Sequence, residues 1–393
     1  MEQRFAELKA QFPAAREHAF FDIAYENCGS DFAREAAAKY FADKAAIFPK
    51  MPKAGGAGKG ATIGAVEECR AKLAAFLGAE GPRNIAFTAN TCQAVSIALM
   101  ALSYEPGDNI VVGDIEHVSV LMPCLKMRDR GVAVKVAKSR DGLRLTADEL
   151  LAAVDDRTRI VAVSYVQSSS GYKLDLKHLT EECHRRGVLV VTDAIQALGV
   201  TPVDVKELGV DALAASGYKG LLALEGAGFL YASTAMLEQM TPVFSCWNAA
   251  TGFDRATLEV TCNDVRDARK LEAGTLPFAA VYALSAGISR ITELGKENVF
   301  ARVAETLASV VTALGELGFE TAYPFDPGVC SNSVLFKTAH NKEMTDFCAE
   351  HGVYFSEGKP GYVRVSVAPF NDAADVARLK AVAALWQQAE RAL

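Results

Sequence analysis

One lysine interrupts a stretch that is almost entirely small or apolar: Lys219, in "AASGYKGLLALEGAGFLY" over residues 214–231. An ammonium withdrawn from water is costly, so a lysine in this setting asks for a reason. A structural lysine that snorkels to the surface is one such reason. In the run "VLVVTD", Asp193 ends a hydrophobic segment, where a carboxylate is costly unless a cation or a hydrogen-bond donor meets it; a helix N-cap is the plain alternative. "FTANTCQAV" puts Asn90 and Thr91 between a strand-like and a helix-like run, where free amides and the helix dipole favour a phosphate. "GDIEHVSV" places His117 at the same kind of crossing, "SYVQSSSG" adds Gln167 and Ser168, and "ASGYKG" sets Ser216 and Tyr218 beside Lys219. Singly, each is more often a cap, a turn or a satisfied core polar group. Their shared location at strand ends raises the functional reading.

The elements that must position these residues are short β-branched runs alternating with amphipathic stretches. The runs are "NIAFT", "NIVVGD", "VAVKVA", "RIVAVSYV", "VLVVTD", "DALAAS" and "GAGFLYA". The stretches between them carry apolar residues at three- and four-residue steps, as in "TADELLAAV" and "LKHLTEECHRRG". Such alternation predicts an α/β fold with a mostly parallel sheet covered on both faces, in which ligands gather at the carboxyl ends of the strands. After about residue 276 a long helical region leads into strand-like "SNSVLFKT", a helix at "KEMTDFCAEHG", strand-like "GYVRVSVAP" and a terminal helix, the outline of a smaller α+β domain.

Composition narrows the function classes. The chain has 393 residues, half of them hydrophobic, and a net charge of -7 with its 41 basic residues scattered, so the basic footprint of a nucleic-acid binder is missing. The longest uncharged stretch, residues 85–104, carries Thr, Asn, Gln and Ser in its first half and reads as strand, loop and helix instead of a membrane span. No basic segment followed by a short apolar run opens the chain, which gives the expectation of a cytoplasmic enzyme. Nine widely spaced cysteines without a C-x-x-C pair read as reduced thiols. No metal-ligand spacing stands out. Residues 49–64 are a glycine-rich candidate for a mobile loop; Gly56, Gly58 and Ala61 formally match a dinucleotide fingerprint, but the preceding "IFPKMPKA" has two prolines and cannot be its first strand.

The ordered set "TANT", "IEHVS", "VSYVQSSSG", "TDAIQALG", "SGYKG", "EGAGFLY", "LEAGT" and "VRVS" resembles the class V aminotransferase family, pyridoxal phosphate (PLP) enzymes of fold type I that include cysteine desulfurases, selenocysteine lyase and isopenicillin N epimerase. The resemblance extends from about Phe20 to Phe370. It implies a large PLP-binding domain over residues 16–275 with a mostly parallel seven-stranded sheet, and a small α+β C-terminal domain over 276–393 that also takes residues 1–15. It further implies that Lys219 condenses with the cofactor aldehyde, that Asp193 pairs with the protonated pyridine nitrogen, and that His117 stacks on the ring. Gln196 is implied as the partner of the ring's phenolic oxygen. Asn90, Thr91 and Ser216 are implied at the phosphate, and Gln167 and Ser168 near the ring. Tyr218 stands where many relatives have a histidine, which leaves that phosphate contact open. "LEAGT" resembles the segment that reaches across a homodimer with shared active sites, so that Thr275 becomes a candidate for the partner's phosphate. Arg364 matches the arginine that grips a substrate α-carboxylate, and Tyr25 and Asn27 in "DIAYENCG", together with the glycine-rich loop, are candidates for the side-chain pocket.

From these motifs the substrate is a small amino acid or amine. Transamination, elimination of a β-substituent and epimerisation share the first steps, and the motifs do not choose among them. Transamination is the expectation, with a carbon–sulfur lyase close behind. A persulfide-forming desulfurase is disfavoured, because the short "GVYFSEGKPGYVRVS" before the Arg364 strand has no cysteine and neither Cys330 nor Cys348 is an obvious substitute. The rivals from other classes are a nicotinamide-dependent oxidoreductase, weakened by the absent fingerprint, and a non-catalytic member of the fold, which has no reason to keep Lys219, Asp193, His117 and Arg364 together.

Overall fold

The computed structural model describes residues 1–47, 60–244, 250–262, 264 and 266–390. Most of the glycine-rich stretch 49–64 therefore lies outside the described residues. All seven β-branched runs form strands of one sheet: β2 (Ile85–Thr88), β3 (Asn109–Gly113), β4 (Ala133–Ala137), β5 (Thr158–Ser164), β6 (Leu189–Asp193), β7 (Ala212–Ser216) and β8 (Gly228–Ala232), following a short β1 (Ala19–Phe20). Their order is β2-β8-β7-β6-β5-β3-β4. Only β8 runs against its neighbours β2 and β7; the remaining pairings are parallel.

Successive side chains of a strand point to opposite faces, and two cores divide accordingly. Ile110 and Val112, Ile160 and Ala162, and Ala212 and Ala214 enter one core. Val111, Val161, Val163, Leu213 and Ala215 enter the other. With both faces covered, polar groups have one place left to meet, the carboxyl edge. There β6 ends on Asp193, β7 on Ser216 and β5 on Ser164. Gly228 lets the first crossover close on this edge, since a Cβ there would lie 2.6 Å from the Asn90 backbone.

A third core gathers Ala19, Phe21, Val303, Leu307, Phe336, Val353, Val363, Val365 and Trp386. It packs beneath the antiparallel strands β11 (Ser333–Lys337), β13 (Ser356–Glu357) and β14 (Tyr362–Ser366), in the order β11-β14-β13. Between them in the chain, β12 (Val353–Tyr354) pairs in parallel with β1. A separate antiparallel hairpin, β9 (Ala250–Phe253) and β10 (Val260–Cys262), precedes this region. The packing is divided differently from the expected boundary at 275/276. The helix Phe278–Leu294 contributes Val281, Leu284, Ile288 and Ile291 to the large-domain core, and so do Phe5, Leu8 and Phe12 of residues 1–15. Gly287 of that helix seats it against the loop after Lys219, where a Cβ would meet the Leu221 carbonyl.

Arg70 is fully buried and gives Nη1 to the Ile85 carbonyl (2.6 Å) and to Glu272 Oε1 (2.7 Å), which also accepts the Phe87 amide at 3.0 Å. This knot fixes the start of "LEAGT" against β2. Among the described residues no helix is long and apolar enough to cross a membrane, and no cluster of His, Cys, Asp and Glu could hold a metal ion.

Candidate active site

A cavity of about 350 Å³ opens at the carboxyl edge of the sheet, lined among others by Asn90, Thr91, His117, Asp193, Gln196 and Lys219. Ser168, Ser216 and Tyr218 line it as well. Asn90 caps the helix Thr91–Met100, its Oδ1 accepting the Gln93 amide at 2.9 Å. Thr91 donates its amide to Ser216 Oγ (2.9 Å), and the two hydroxyls lie 3.2 Å apart. Two hydroxyls at the positive end of a helix make a cradle for an anion.

Asp193 forms the floor of the cavity and is 3% exposed. Its Oδ1 accepts the Ile195 amide (2.9 Å) and its Oδ2 the Ser119 hydroxyl (3.2 Å). Burial pushes its carboxyl up to about 6, against the pull of those donors and of the Lys219 charge. A carboxylate so placed is incompletely compensated and accepts a further N–H gladly. Lys219 is 8% exposed, and burial brings its amine down to about 8, with Asp193 opposing and Arg364 adding to the fall. About a tenth of the amine is then unprotonated at pH 7, the form that nucleophilic attack requires. His117 caps the next helix, its Nδ1 accepting from the Ser119 amide (3.2 Å) and lying 2.7 Å from the Ser119 hydroxyl. Burial and then the charges of Lys219 and Arg364 hold its imidazole below the ordinary value, which favours a neutral ring.

A second cleft adjoins the first through Ser168 and contains Arg364, Asp22, Tyr25, Ser356, Glu357 and Lys359. Arg364 gives Nη1 to the Ser168 carbonyl (2.6 Å) and Nη2 to Ser356 Oγ (3.0 Å), with Asp22 Oδ1 at 3.5 Å. Its Nε is buried without a hydrogen-bond partner among the described residues. Tyr25, 64% exposed, stands at the rim of this cleft.

Two expected site residues are placed differently. Asn27 is not free for a substrate: its Nδ2 donates to the carbonyls of Tyr218 (2.6 Å) and Ala223 (2.7 Å), and its Oδ1 accepts the Gly29 amide (2.9 Å). It ties down the loop that carries Lys219, within which Leu222 has a φ of 60°. Gln167 does not line the cavity, because its side chain turns to the other side of the strand end and gives Nε2 to Glu116 Oε1 at 3.0 Å. Thr275 is exposed and lines neither cleft of the single chain. Gln196 lines the cavity while one of its two amide hydrogens goes to the Ala24 carbonyl (2.9 Å).

The sequence reading missed four polar groups. Ser119 bridges His117 and Asp193. Glu116 is buried under Ser164, whose amide donates to its Oε2 at 3.0 Å, and burial pushes its carboxyl up to about 7. Asp22 and Ser356 sit on Arg364. Glu116 and Ser119 lay inside the quoted "GDIEHVSV" and Asp22 opens "DIAYENCG", but nothing in a one-dimensional pattern tells which neighbour of a histidine faces the site.

These residues fit pyridoxal phosphate on the chemistry of the donor set: an anion cradle, a buried carboxylate able to accept a ring N–H, and an amine that burial makes easier to deprotonate, all in one cavity. The family model described as "Aminotransferase class-V" matches residues 35–379. A probable cysteine desulfurase of Methanothermobacter thermautotrophicus is 32% identical over 234 residues, 60% of this chain and 57% of that protein. The fold superposes on the cysteine desulfurase of Thermococcus onnurineus NA1 with a TM-score of 0.86, covering 97% of both chains at 21% identity. It superposes on the cystine C–S lyase C-DES with a TM-score of 0.85, covering 95% of this chain and 99% of that one, also at 21% identity. The chain thus belongs to the class V aminotransferase family, the PLP-dependent enzymes that its ordered motifs resemble.

Proposed function

We propose that the protein is a PLP-dependent carbon–sulfur lyase that cleaves a small sulfur-bearing amino acid by β-elimination and carries no sulfur on an enzyme cysteine. The observation that carries this reading is the pairing of the two clefts. The amine of Lys219 and the guanidinium of Arg364 face adjoining spaces that share Ser168, the layout for holding an α-carboxylate while a proton is drawn from the neighbouring carbon. The segment from Phe355 to Arg364 that borders the cleft has no cysteine. Cys330 and Cys348 are buried with their thiols pushed up by burial, Cys348 to about 12, so neither is a ready nucleophile. The relatives named as cysteine desulfurases and the fold neighbour named as a cystine C–S lyase support sulfur chemistry over transamination.

The cofactor supplies an electron sink when bound. The chain's own residues do the rest. With the cofactor bound, Thr91, Ser216 and the helix end behind Asn90 would hold the phosphate, Asp193 would meet the ring nitrogen and favour its protonated form, and the neutral His117 would line the ring. Arg364 takes the α-carboxylate through the edge formed by its unpartnered Nε and Nη2. Lys219 Nζ removes the Cα proton and is placed to return it to the departing sulfur. With cysteine the balance is cysteine plus water giving pyruvate, ammonia and hydrogen sulfide. The same reading has two chains pair, with Thr275 completing the phosphate site across the interface.

The test is product analysis of the holoenzyme with L-cysteine and L-cystine. Pyruvate and ammonia in equal amounts, with sulfide or a low-molecular-weight persulfide, support the proposal. Alanine together with a protein-bound persulfide would establish a desulfurase, and consumption of an added keto acid without sulfur release a transaminase; either overturns it.

A further inference from the structure

The guanidinium assigned to the substrate already has a carboxylate on it. Asp22 leaves β1, bridges Ser366 of β14 through its backbone, and presents Oδ1 to both Arg364 Nη2 (3.5 Å) and the Ser356 hydroxyl. The pair is secluded, with side chains 12% and 19% exposed for Arg364 and Asp22. Nε and Nη2 form the side-on edge of an arginine fork, the edge that takes a carboxylate with two parallel bonds. Here Nε is buried without a hydrogen-bond partner among the described residues and Nη2 is shared with Asp22. A second carboxylate arriving on that edge comes against Asp22 at the shared nitrogen.

We infer that Asp22 is a resident carboxylate that occupies Arg364 until the substrate's α-carboxylate takes its place, and that the exchange is accompanied by uptake of one proton at Asp22. Two carboxylates on one buried cation do not both stay ionised, since each disfavours the charge of the other. Among the described residues, the groups around Asp22 offer no second cation at bonding distance. From β13 it meets the Ser356 hydroxyl, and from β14 only Arg364. Lys359, on the cleft wall beside Glu357, spends its amine on the Gly142 carbonyl. Lys219 acts on it through its field alone, and Tyr25 and Glu26 follow on its own segment. Burial already holds the Asp22 carboxyl above its ordinary value in spite of Arg364 and Lys219. Asp22 is thereby a specificity-determining residue: it keeps the fork extended and desolvated for a carboxylate, and sets how affinity for one depends on pH.

This inference rests on the assignment of Arg364 to the α-carboxylate, and the experiment separates the two. L-Lactate, an α-carboxylate without an amine, is titrated into the holoenzyme by calorimetry between pH 6 and 8 in buffers of different ionisation enthalpy. The wild-type protein is expected to take up close to one proton per lactate, with Kd rising toward about tenfold per pH unit. Asp22→Asn is expected to abolish the uptake and to bind lactate about tenfold more tightly, or better, at pH 8. Arg364→Gln losing lactate binding, while wild type shows no uptake or Asp22→Asn shows the same uptake, overturns the role of Asp22 and leaves Arg364 in place. Arg364→Gln binding lactate like wild type overturns the assignment of Arg364 itself. The wild-type uptake needs no variant to fold.

Discussion

Replacing Asn27 tests whether the Lys219 loop is held from outside. In Asn27→Ala the Ala223 carbonyl loses its 2.7 Å bond, and the Tyr218 carbonyl keeps only the backbone amide of residue 27 at 3.0 Å. The bond to the exposed Gly29 amide is replaced by water. At about 1 kcal/mol for each of the two inward bonds, the loop is destabilised by about 2 kcal/mol. Leu222, with φ at 60°, adds stored strain of about 1 kcal/mol or more that an untied loop releases on opening. Since 1.36 kcal/mol is a factor of ten, 2 kcal/mol corresponds to about 30-fold faster opening. The assay is hydrogen exchange at the Leu222 and Ala223 amides, which bond the Lys219 and Gly217 carbonyls at 2.8 and 2.9 Å. Both are expected to exchange about 30-fold faster in Asn27→Ala, with the central strands β5 and β6 unchanged. Asn27→Asp is expected to do more, because a carboxylate faces two carbonyl oxygens with no donor. Unchanged rates at 222 and 223, or equal acceleration in β5 and β6, would refute the reasoning.

Glu272→Gln leaves the fully buried Arg70 with only the partly exposed Glu67 as counter-charge and is expected to cost about 2 kcal/mol, seen as a lower denaturant midpoint. Glu116 has a folded-state carboxyl raised to about 7, so the native state holds its proton more tightly than the unfolded chain; its stabilising effect is complete below the ordinary value of 4.5 and is lost as pH rises toward 7. Glu116→Gln is expected to flatten that decline, worth up to about 3 kcal/mol between pH 4.5 and 7 in urea unfolding, with the unpaired Gln167 Oε1 accepting the new amide after a flip. Of the seven described free cysteines only Cys92 is exposed, and it lines the cofactor cavity. Native thiol titration is expected to show one fast group that Cys92→Ser removes and PLP protects; a fast group that survives the substitution, apart from Cys246 and Cys262, refutes this placement.

The sheet was legible because its strands, the edge strand β4 apart, are almost wholly buried and so stand out as short apolar runs; all seven runs became strands. The residues at the carboxyl edge were legible in position, since a polar group that ends such a run has only one edge to occupy. Direction was not. Gln167 and Ser168 are adjacent and point to different neighbours, and Asn27 reads as a pocket residue until the two carbonyls it serves come from the Lys219 loop, almost 200 positions away in sequence. Asp22 escaped for the same reason: its meaning depends on Arg364, which only the pairing of β14 with the amino-terminal segment brings near. The boundary at 275/276 followed a change of composition, whereas the packing followed the apolar stripe of the helix Phe278–Leu294, which continues the large core.

The amino-terminal segment 19–27 also orders events during synthesis. Its partners in the cofactor loop, Tyr218 and Ala223, emerge from the ribosome long before Arg364 and Ser366, and domains fold as they are made. A nascent chain of some 240 residues already contains every described strand of the large sheet and the amine of Lys219, yet has no fork with which to read an amino acid.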